Sequence, residues 1–323
     1  MNVVITSASR KVSLIKAFKK AVSQVNGNVI AMDTSPLSPS FYFSDQAYVV
    51  PPSNYESFLP LVLNFCREHK VKLVVPTRDE ELLLFAENVD EFKRVGTTVM
   101  VSSPAAIKVC QDKKQFIDFC GKNGYETPEV IANPAAVTAE DFPLFVRSRY
   151  SKASESAYKV KSQEELSYHT QRLDEPIIQE YVDAEEYTVD LFADFDGTVL
   201  SVVPRQRITV FGGESFVGKT FRHNGIINAS VRLAESLGLI GHNTIQCFLD
   251  DDEAVKFVEV NPRYGGGVSL SFAAGAPTPS WLIQLINGEK LKPVIGDFTD
   301  RCLMLRYTDD IYVDLDHLKG DSI

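Results

Sequence analysis

Long apolar runs are missing from this chain of 323 residues. Nowhere does it reach the roughly 18 consecutive apolar residues that would suggest a membrane-spanning helix. Cysteine is sparse: Cys66, Cys110, Cys120, Cys247 and Cys302 form no CxxC pair and no spacing suited to zinc. The N-terminus MNVVITSASRKVSLIK places its short apolar run before Arg10 and Lys11, the reverse of a secretory signal. Reduced thiols in a cytoplasmic protein that makes no membrane contact are therefore expected. Positive charge is also short, with 33 Lys+Arg against 43 Asp+Glu and a formal net charge of −10. A mean field of that sign repels phosphate, so nucleic-acid partners are not expected. There is no HExxH, and the first apolar run leads into Ser7-Ala8-Ser9-Arg10 rather than GxGxxG. The dinucleotide fingerprint is thus absent, although Asp33 ends the second run.

What is present divides by periodicity. Over the first hundred residues short buried strands (Val3–Thr6, Asn28–Met32, Val71–Val75, Val99–Val101) alternate with helical patterns at Val12–Val22, Tyr55–Glu68 and Glu80–Asn88. That alternation predicts a parallel sheet covered on both faces. Beyond it, Pro104 opens a short helix, and Asp112 caps another that Gly124 stops. Hairpins then dominate: Leu144–Arg147 with Ala157–Val160, Tyr187–Phe195 with Thr198–Val203 across Asp196-Gly197, and Thr244–Leu249 with Ala254–Asn261. The expected fold is α/β and α+β, with a parallel-sheet domain at 1–103 and two α+β lobes at 104–175 and 176–323.

Four segments could carry chemistry. In the last hairpin, a turn of Asp250 to Glu253 pairs Gln246 with Phe257 and Thr244 with Glu259. The period of two then puts Gln246, Glu259 and Asn261 on one face. One carboxylate and two amide oxygens suit Mg²⁺ shared with phosphates; equally, they suit a wetted sheet face. Arg263 and Gly265-Gly266-Gly267 follow in EVNPRYGGG, where glycines would let backbone approach an anion ahead of a helix near Val268. In FPLFVRSRYSKASESAYKV a strand delivers Arg147 and Arg149 to a loop containing Ser151, Lys152, Ser154 and Ser156. That is a polyphosphate site or a protected edge. IIQEYVDAEEYTVD reads as an extended connector around Gln179-Glu180, and Lys113 in CQDKKQF sits at a helix start. GGESFVGKT matches the P-loop formula from Gly213 to Thr220, but no buried parallel strand precedes it and no helical period follows. It is expected to be a mobile glycine-rich loop instead.

The order of these motifs resembles the ATP-grasp superfamily, and within it the large subunit of carbamoyl phosphate synthase and stand-alone carboxylate–amine ligases. VVPTRDEEL in the first part, with ETP at 126–128, is similar to the Rossmann-like domain that precedes the grasp fold. The resemblance implies that Lys113 and Arg147 contact ATP phosphates, that Glu180, Tyr181 and Val182 line adenine, and that Glu186 takes the ribose. It implies that Gln246, Glu259 and Asn261 hold two Mg²⁺ ions, with Mn²⁺ as a substitute, and that Arg263 stabilises the transferring phosphoryl group. Arg207 borders that centre, where it would clamp a substrate carboxylate or sit on the surface.

The implied reaction converts a carboxylate to an acyl phosphate that an amine captures. Two features depart from the family pattern: Tyr150 to Ser156 contains no glycine, and RITVFGGES lacks the histidine of a bicarbonate-using synthase. A stand-alone ligase acting on small-molecule carboxylate and amine substrates is therefore expected first. A split synthase component with an ammonia-supplying or second subunit comes next, and a non-catalytic ATP-binding protein third. A homodimer is compatible with each.

Overall fold

The computed structural model describes residues 1–150 and 156–322. In the first hundred residues β1 (Asn2–Ile5), α1 (Val12–Ser23), β2 (Asn28–Asp33), β3 (Gln46–Val49), α2 (Phe58–Glu68), β4 (Val71–Val75), α3 (Asp79–Glu87), α4 (Val89–Arg94) and β5 (Thr98–Val99) follow in order. The strands are parallel and lie β3-β2-β1-β4-β5. Both faces are buried, which is why β1, β2 and β4 read as near-continuous apolar runs, interrupted in β4 by the exposed Lys72. Val3, Ile5, Val29 and Leu73 pack on one side with Leu14, Ile15 and Phe18 of α1. Val4, Ile30 and Val74 pack on the other with Phe58, Phe65, Leu82 and Phe85. β3 carries no strong apolar pattern (Gln46 is exposed and the other three residues are only partly buried), and the sequence reading passes over it.

The helices α5 (Pro104–Gln111) and α6 (Lys113–Lys122) come next. Ser103 accepts a hydrogen bond from the Ala106 amide at the start of α5. Asp112 accepts bonds from the Lys114 and Gln115 amides at the start of α6. Then come β6 (Leu144–Ser148), β7 (Ala157–Val160), α7 (Gln163–Arg172) and β8 (Pro176–Glu180), forming a three-stranded sheet β7-β6-β8. The register Leu144↔Val160 and Arg147↔Ala157 is the expected hairpin.

The rest is β9 (Glu185–Ala193), β10 (Val199–Phe211), β11 (Glu214–Thr220), α8 (Asn224–Leu237), β12 (Gly241–Leu249), β13 (Val255–Asn261), α9 (Ser269–Ala273), α10 (Thr278–Ile286), β14 (Leu303–Leu305) and β15 (Asp321–Ser322). Its six-stranded antiparallel sheet runs β13-β12-β9-β10-β11-β14.

Several expectations need correction. The lobe boundary at residue 176 falls inside the three-stranded sheet, because β8 pairs with β6. Ala106, Phe116 and Cys120 of α5 and α6 pack in the core of the six-stranded sheet, not on the three-stranded one. The chain end also leaves its assigned lobe: β15 pairs parallel with β3 of the first sheet. The segment Gly213–Thr220 is not a loop. It contains β11, antiparallel to β10, so the P-loop formula there encodes a hairpin strand.

Candidate active site

The site rests on one face of the six-stranded sheet. Across it, Glu259 opposes Gln246, Gln246 opposes Thr188, and Thr188 opposes Arg205. Period two brings Asn261, Thr244, Asp190, Glu186 and Arg207 to the same side. Tyr187, Val189, Ile245, Cys247, Phe257 and Val260 fill the apolar core on the other. The sequence register was displaced here. Leu249 pairs with Val255, and the pairing shifts between Gln246 and Cys247, so that Cys247 opposes Phe257 while Gln246 opposes Glu259. Val258 is the extra residue of this bulge. It lets Phe257 stay in the core while Glu259 turns to the site, which a regular ladder forbids.

Glu259 is the hub. Its Oε1 accepts Nε2 of Gln246 at 2.8 Å and Nδ2 of Asn261 at 2.9 Å. Asn261 Oδ1 accepts an Arg263 N–H at 3.2 Å, and Arg263 closes on Asp79 of the first domain with bonds of 3.0 and 2.7 Å. Two cations answer Glu259 from elsewhere. Burial lowers the pKa of Lys113, which starts α6, and the Glu259 charge opposes that shift. Arg147, 4% exposed, is lowered by burial and opposed by Glu259 in the same way. Its Nη atoms reach the Val258 carbonyl at 3.4 Å and its Nε is buried without a partner among the described residues. The bulge that aims Glu259 thus also exposes a carbonyl to Arg147.

Beneath this layer, Arg205 and Asp190, each 2% exposed, form a bidentate pair at 2.7 and 3.0 Å. Burial alone would raise the Asp190 carboxyl, but the Arg205 charge, with His242 Nε2 3.7 Å away, carries it well below the usual carboxylate range. Ser271 adds a bond of 2.5 Å. The glycine run serves this packing rather than an anion. A Cβ at Gly267 would meet the Arg205 guanidinium, and one at Gly265 would meet Thr244 Oγ1 at 2.8 Å. The helix behind it, α9, spans only five residues.

These walls enclose a cavity of about 1550 Å³ reached by all three parts of the chain. Lys113, Arg207, Gln246, Glu259, Asn261 and Arg263 line it, beside Ser9, Arg10, Lys11, Arg78 and Asp79 from the first domain. That exceeds the roughly 300–1,000 Å³ of a typical single-ligand pocket. Among the described residues, no cluster of three or more His, Cys, Asp or Glu could hold a metal. Gln246, Glu259 and Asn261 supply one carboxylate and two amide oxygens, hard donors once the two amides turn their oxygens inward.

Residues 3–100 match the family model of PylC-like N-terminal domains, and residues 172–303 match that of ATP-grasp in the biosynthetic pathway with Ter operon. The chain is thus similar to ATP-grasp proteins. It is 23% identical over 320 residues to the carbamoyl phosphate synthase large chain of Campylobacter jejuni, covering 91% of this chain and 28% of that one. The chain thus spans little more than a quarter of that relative's length. Among solved structures, a biotin carboxylase β,γ-ATP complex from Campylobacter jejuni superposes with a TM-score of 0.74 at 13% identity, covering 92% of this chain and 73% of that one. An N5-carboxyaminoimidazole synthetase from Staphylococcus aureus with ADP gives 0.70 at 14%, covering 90% and 78%.

The expected ATP-grasp residues do not all converge. Arg147, Glu180, Tyr181, Val182 and Glu186 lie outside the cavity lining. Glu180 ends β8, where its carboxylate accepts Lys256 Nζ at 2.9 Å and the Glu129 amide at 3.0 Å, tying the two antiparallel sheets together. Lys159 sits 3.5 Å over the Tyr181 ring, and Val182 is half-buried. Glu186 pairs with Arg207. Arg207 also donates to Gln246 Oε1 at 3.2 Å and to the Gly213 carbonyl at 2.8 Å. Both Nη groups expected to clamp a substrate carboxylate are therefore already given to protein oxygens, while Nε is buried without a partner among the described residues. Arg149 holds Asp112 at 2.7 and 2.5 Å, fastening the start of α6 to β6. Ser151, Lys152 and Ser154 lie outside the described residues. The sequence reading missed Asp79 and the Asp190–Arg205 pair. Asp79 sat in plain view just beyond a buried strand closed by Pro76, but nothing local ties it to Arg263.

Proposed function

We propose that this ATP-grasp-like protein is an ATP-dependent carboxylate–amine ligase acting through an acyl phosphate. The observation that carries this reading is the linked set Gln246, Glu259, Asn261 and Arg263, with Lys113 on the same cavity. Nucleotide binding alone needs no complete oxygen-donor set beside an arginine. A substrate carboxylate oxygen attacks the γ-phosphorus, the bond to the β-phosphate oxygen breaks, and ADP leaves with the electron pair. An amine then attacks the acyl carbon, loses a proton, and expels phosphate.

Lys113 and Arg147 hold the phosphates. The unpartnered Nε and long Nη contacts of Arg147 leave it donor capacity for that role. Arg263 faces the transferring phosphoryl group, and Asp79 holds its guanidinium in place. Glu180 to Val182 border the adenine where β8 passes into β9, and Glu186 takes the ribose when Arg207 releases it. Gln246, Glu259 and Asn261 would hold Mg²⁺, which would supply positive charge to offset that of the phosphates. Arg207 acts by orienting Gln246 and balancing Glu186 rather than by clamping substrate.

Release of ADP and phosphate from Mg-ATP, with a panel of carboxylate and amine pairs, tests the reading. Glu259→Gln is expected to lower turnover about 100-fold or more, since it removes the one charged donor of the set. Full turnover by that variant refutes the metal assignment. ATP binding without turnover for any pair refutes the ligase. A second reading, a component of a split carbamoyl phosphate synthase, draws support from the alignment over 320 residues to such a large chain. Bicarbonate-dependent ADP release without any organic carboxylate would favour it.

A further inference from the structure

The cavity has a cationic end that the phosphoryl-transfer residues do not account for. It is built where the chain reverses direction across the first sheet. In the order β3-β2-β1-β4-β5, the connection leaving β1 through α1 and the one leaving β4 through α3 depart to opposite faces. In open parallel sheets the crevice at the carboxyl ends of two such strands is where ligands sit. Here β1 delivers Ser9, Arg10 and Lys11, β4 delivers Arg78, and all four line the cavity.

Lys11 is the informative group. Its pKa is pushed down to about 8 by burial, and then by the charges of Arg263 and Arg78, which outweigh the opposing charges of Glu81 and Asp33. Three cations from three loops therefore lie close enough to repel one another. Among the described residues Lys11 makes no ion pair, and its Nζ bonds only the Ser7 carbonyl at 3.3 Å. The nearby carboxylates are committed elsewhere. Asp33 accepts the Ser9 amide at 2.6 Å, Asp79 takes Arg263, and Glu81 accepts Thr6 Oγ1 at 2.7 Å and also Ser7 Oγ. Burial raises the Glu81 carboxyl above its ordinary pKa, opposed by the Ser7 and Thr6 hydrogen bonds and the Lys11 charge. Glu80 lies 3.7 Å from Arg78 on the exposed rim. The first turn of α1 has no acidic residue and no side-chain cap, so nothing on the helix opposes a negative ligand. Like charges held together in a partly dry cavity are stabilised when an anion lies between them.

We propose that Arg10, Lys11 and Arg78 form a subsite for an oxyanion group, carboxylate or phosphate, carried by the second substrate in addition to its reacting group. This rests on the ligase reading and narrows it: the substrate enters with an anionic end in the first domain and its reacting end beside Arg263. The Arg263–Asp79 bridge joins the two regions, so filling the subsite brings the substrate up to the transfer centre.

Limited acetylation of the nucleotide-free protein by an N-hydroxysuccinimide ester, read by mass spectrometry at Lys11, Lys113 and Lys19, tests the subsite. Inorganic phosphate or succinate at millimolar concentration is expected to protect Lys11 saturably. Chloride at matched ionic strength is expected not to, and Lys19, which pairs with Asp45 on the surface, should be unchanged. Arg10→Gln and Arg78→Gln, each folded by circular dichroism, should each raise the half-protecting concentration about fivefold or more. Protection by phosphate alone identifies a phosphate group, and protection by succinate alone a carboxylate. Equal protection by chloride, protection of Lys113 without Lys11, or indifference to both substitutions overturns the proposal. No ATP is present, so these outcomes are separate from failure of the ligase reading, which is read as absence of ADP release.

Discussion

Replacing Asp190 by asparagine tests whether the site is built on a buried ion pair. Arg205 and Asp190 are both 2% exposed and joined by two hydrogen bonds, with Ser271 satisfying a further carboxylate lone pair. Asparagine keeps the shape and removes the charge, leaving the Arg205 guanidinium uncompensated in the interior. Breaking a buried pair in this way costs about 3–5 kcal/mol. The unfolding assay is favourable because the chain has one tryptophan, Trp281. Its ring lies 6.1 Å from that of Phe192, and it packs on both large cores. Its fluorescence therefore reports loss of the six-stranded sheet. With a urea slope near 3 kcal/mol/M, the midpoint should fall by about 1 to 2 M.

The pH dependence follows from the direction of the shift. A carboxyl whose folded pKa is depressed adds stability that is fully present above its unfolded value, near 3.9, and is lost as pH falls toward the folded one. The gap between wild type and Asp190→Asn should thus be flat from about pH 8 to 5 and shrink below about pH 4. A midpoint shift below about 0.3 M at pH 7, or a gap that widens in acid, refutes the reasoning.

Asp79→Asn should weaken the two charge-assisted bonds to Arg263 and lower kcat about 10- to 100-fold, leaving ATP affinity nearly unchanged; titrating ATP at saturating substrate separates the two. Glu81→Gln should stabilise the protein at pH 8. Glu81 is 2% exposed and its folded pKa is raised, so ionising it opposes folding as pH rises, and the advantage over wild type should vanish toward pH 4 in urea titrations. Gly267→Ala should displace Arg205 from Asp190 and destabilise the six-stranded sheet by about 1–3 kcal/mol, read from Trp281 fluorescence.

Most of the first sheet was legible because each strand is buried on both faces and each helix is amphipathic, signals carried within a dozen residues. β3 escaped because its partly buried residues show neither run nor alternation. β11 escaped because its glycines and lysine imitate a phosphate loop, and only pairing with β10 and β14 makes it a strand. On the site face, period two aligns Glu259 with Asn261 and Gln246 with Thr244 within their own strands, but the side the two strands share depends on the cross-strand register, and the bulge at Val258 puts Gln246 and Glu259 together. The register itself did not follow, since a bulge at Val258 is indifferent to local propensity and arises from the need to keep Phe257 in the core while Glu259 leaves it.

Local pattern by itself determined the alternating parallel domain, the hairpins and the capped start of α6. Those depend on side-chain period and turn chemistry, which operate over a few residues. The tertiary structure alone decided the partners of the charges. Arg263 meets Asp79 across 184 positions of sequence, and Arg147 meets the Val258 carbonyl across 111. Arg207 turns to Glu186 and Gln246 instead of outward. The approach of Lys11 and Arg78 to Arg263 likewise exists only once the first sheet docks on the six-stranded one. A charged side chain reaches several ångströms in any direction from its backbone. Its partner is therefore chosen by how whole sheets pack, and no period in the sequence encodes that choice.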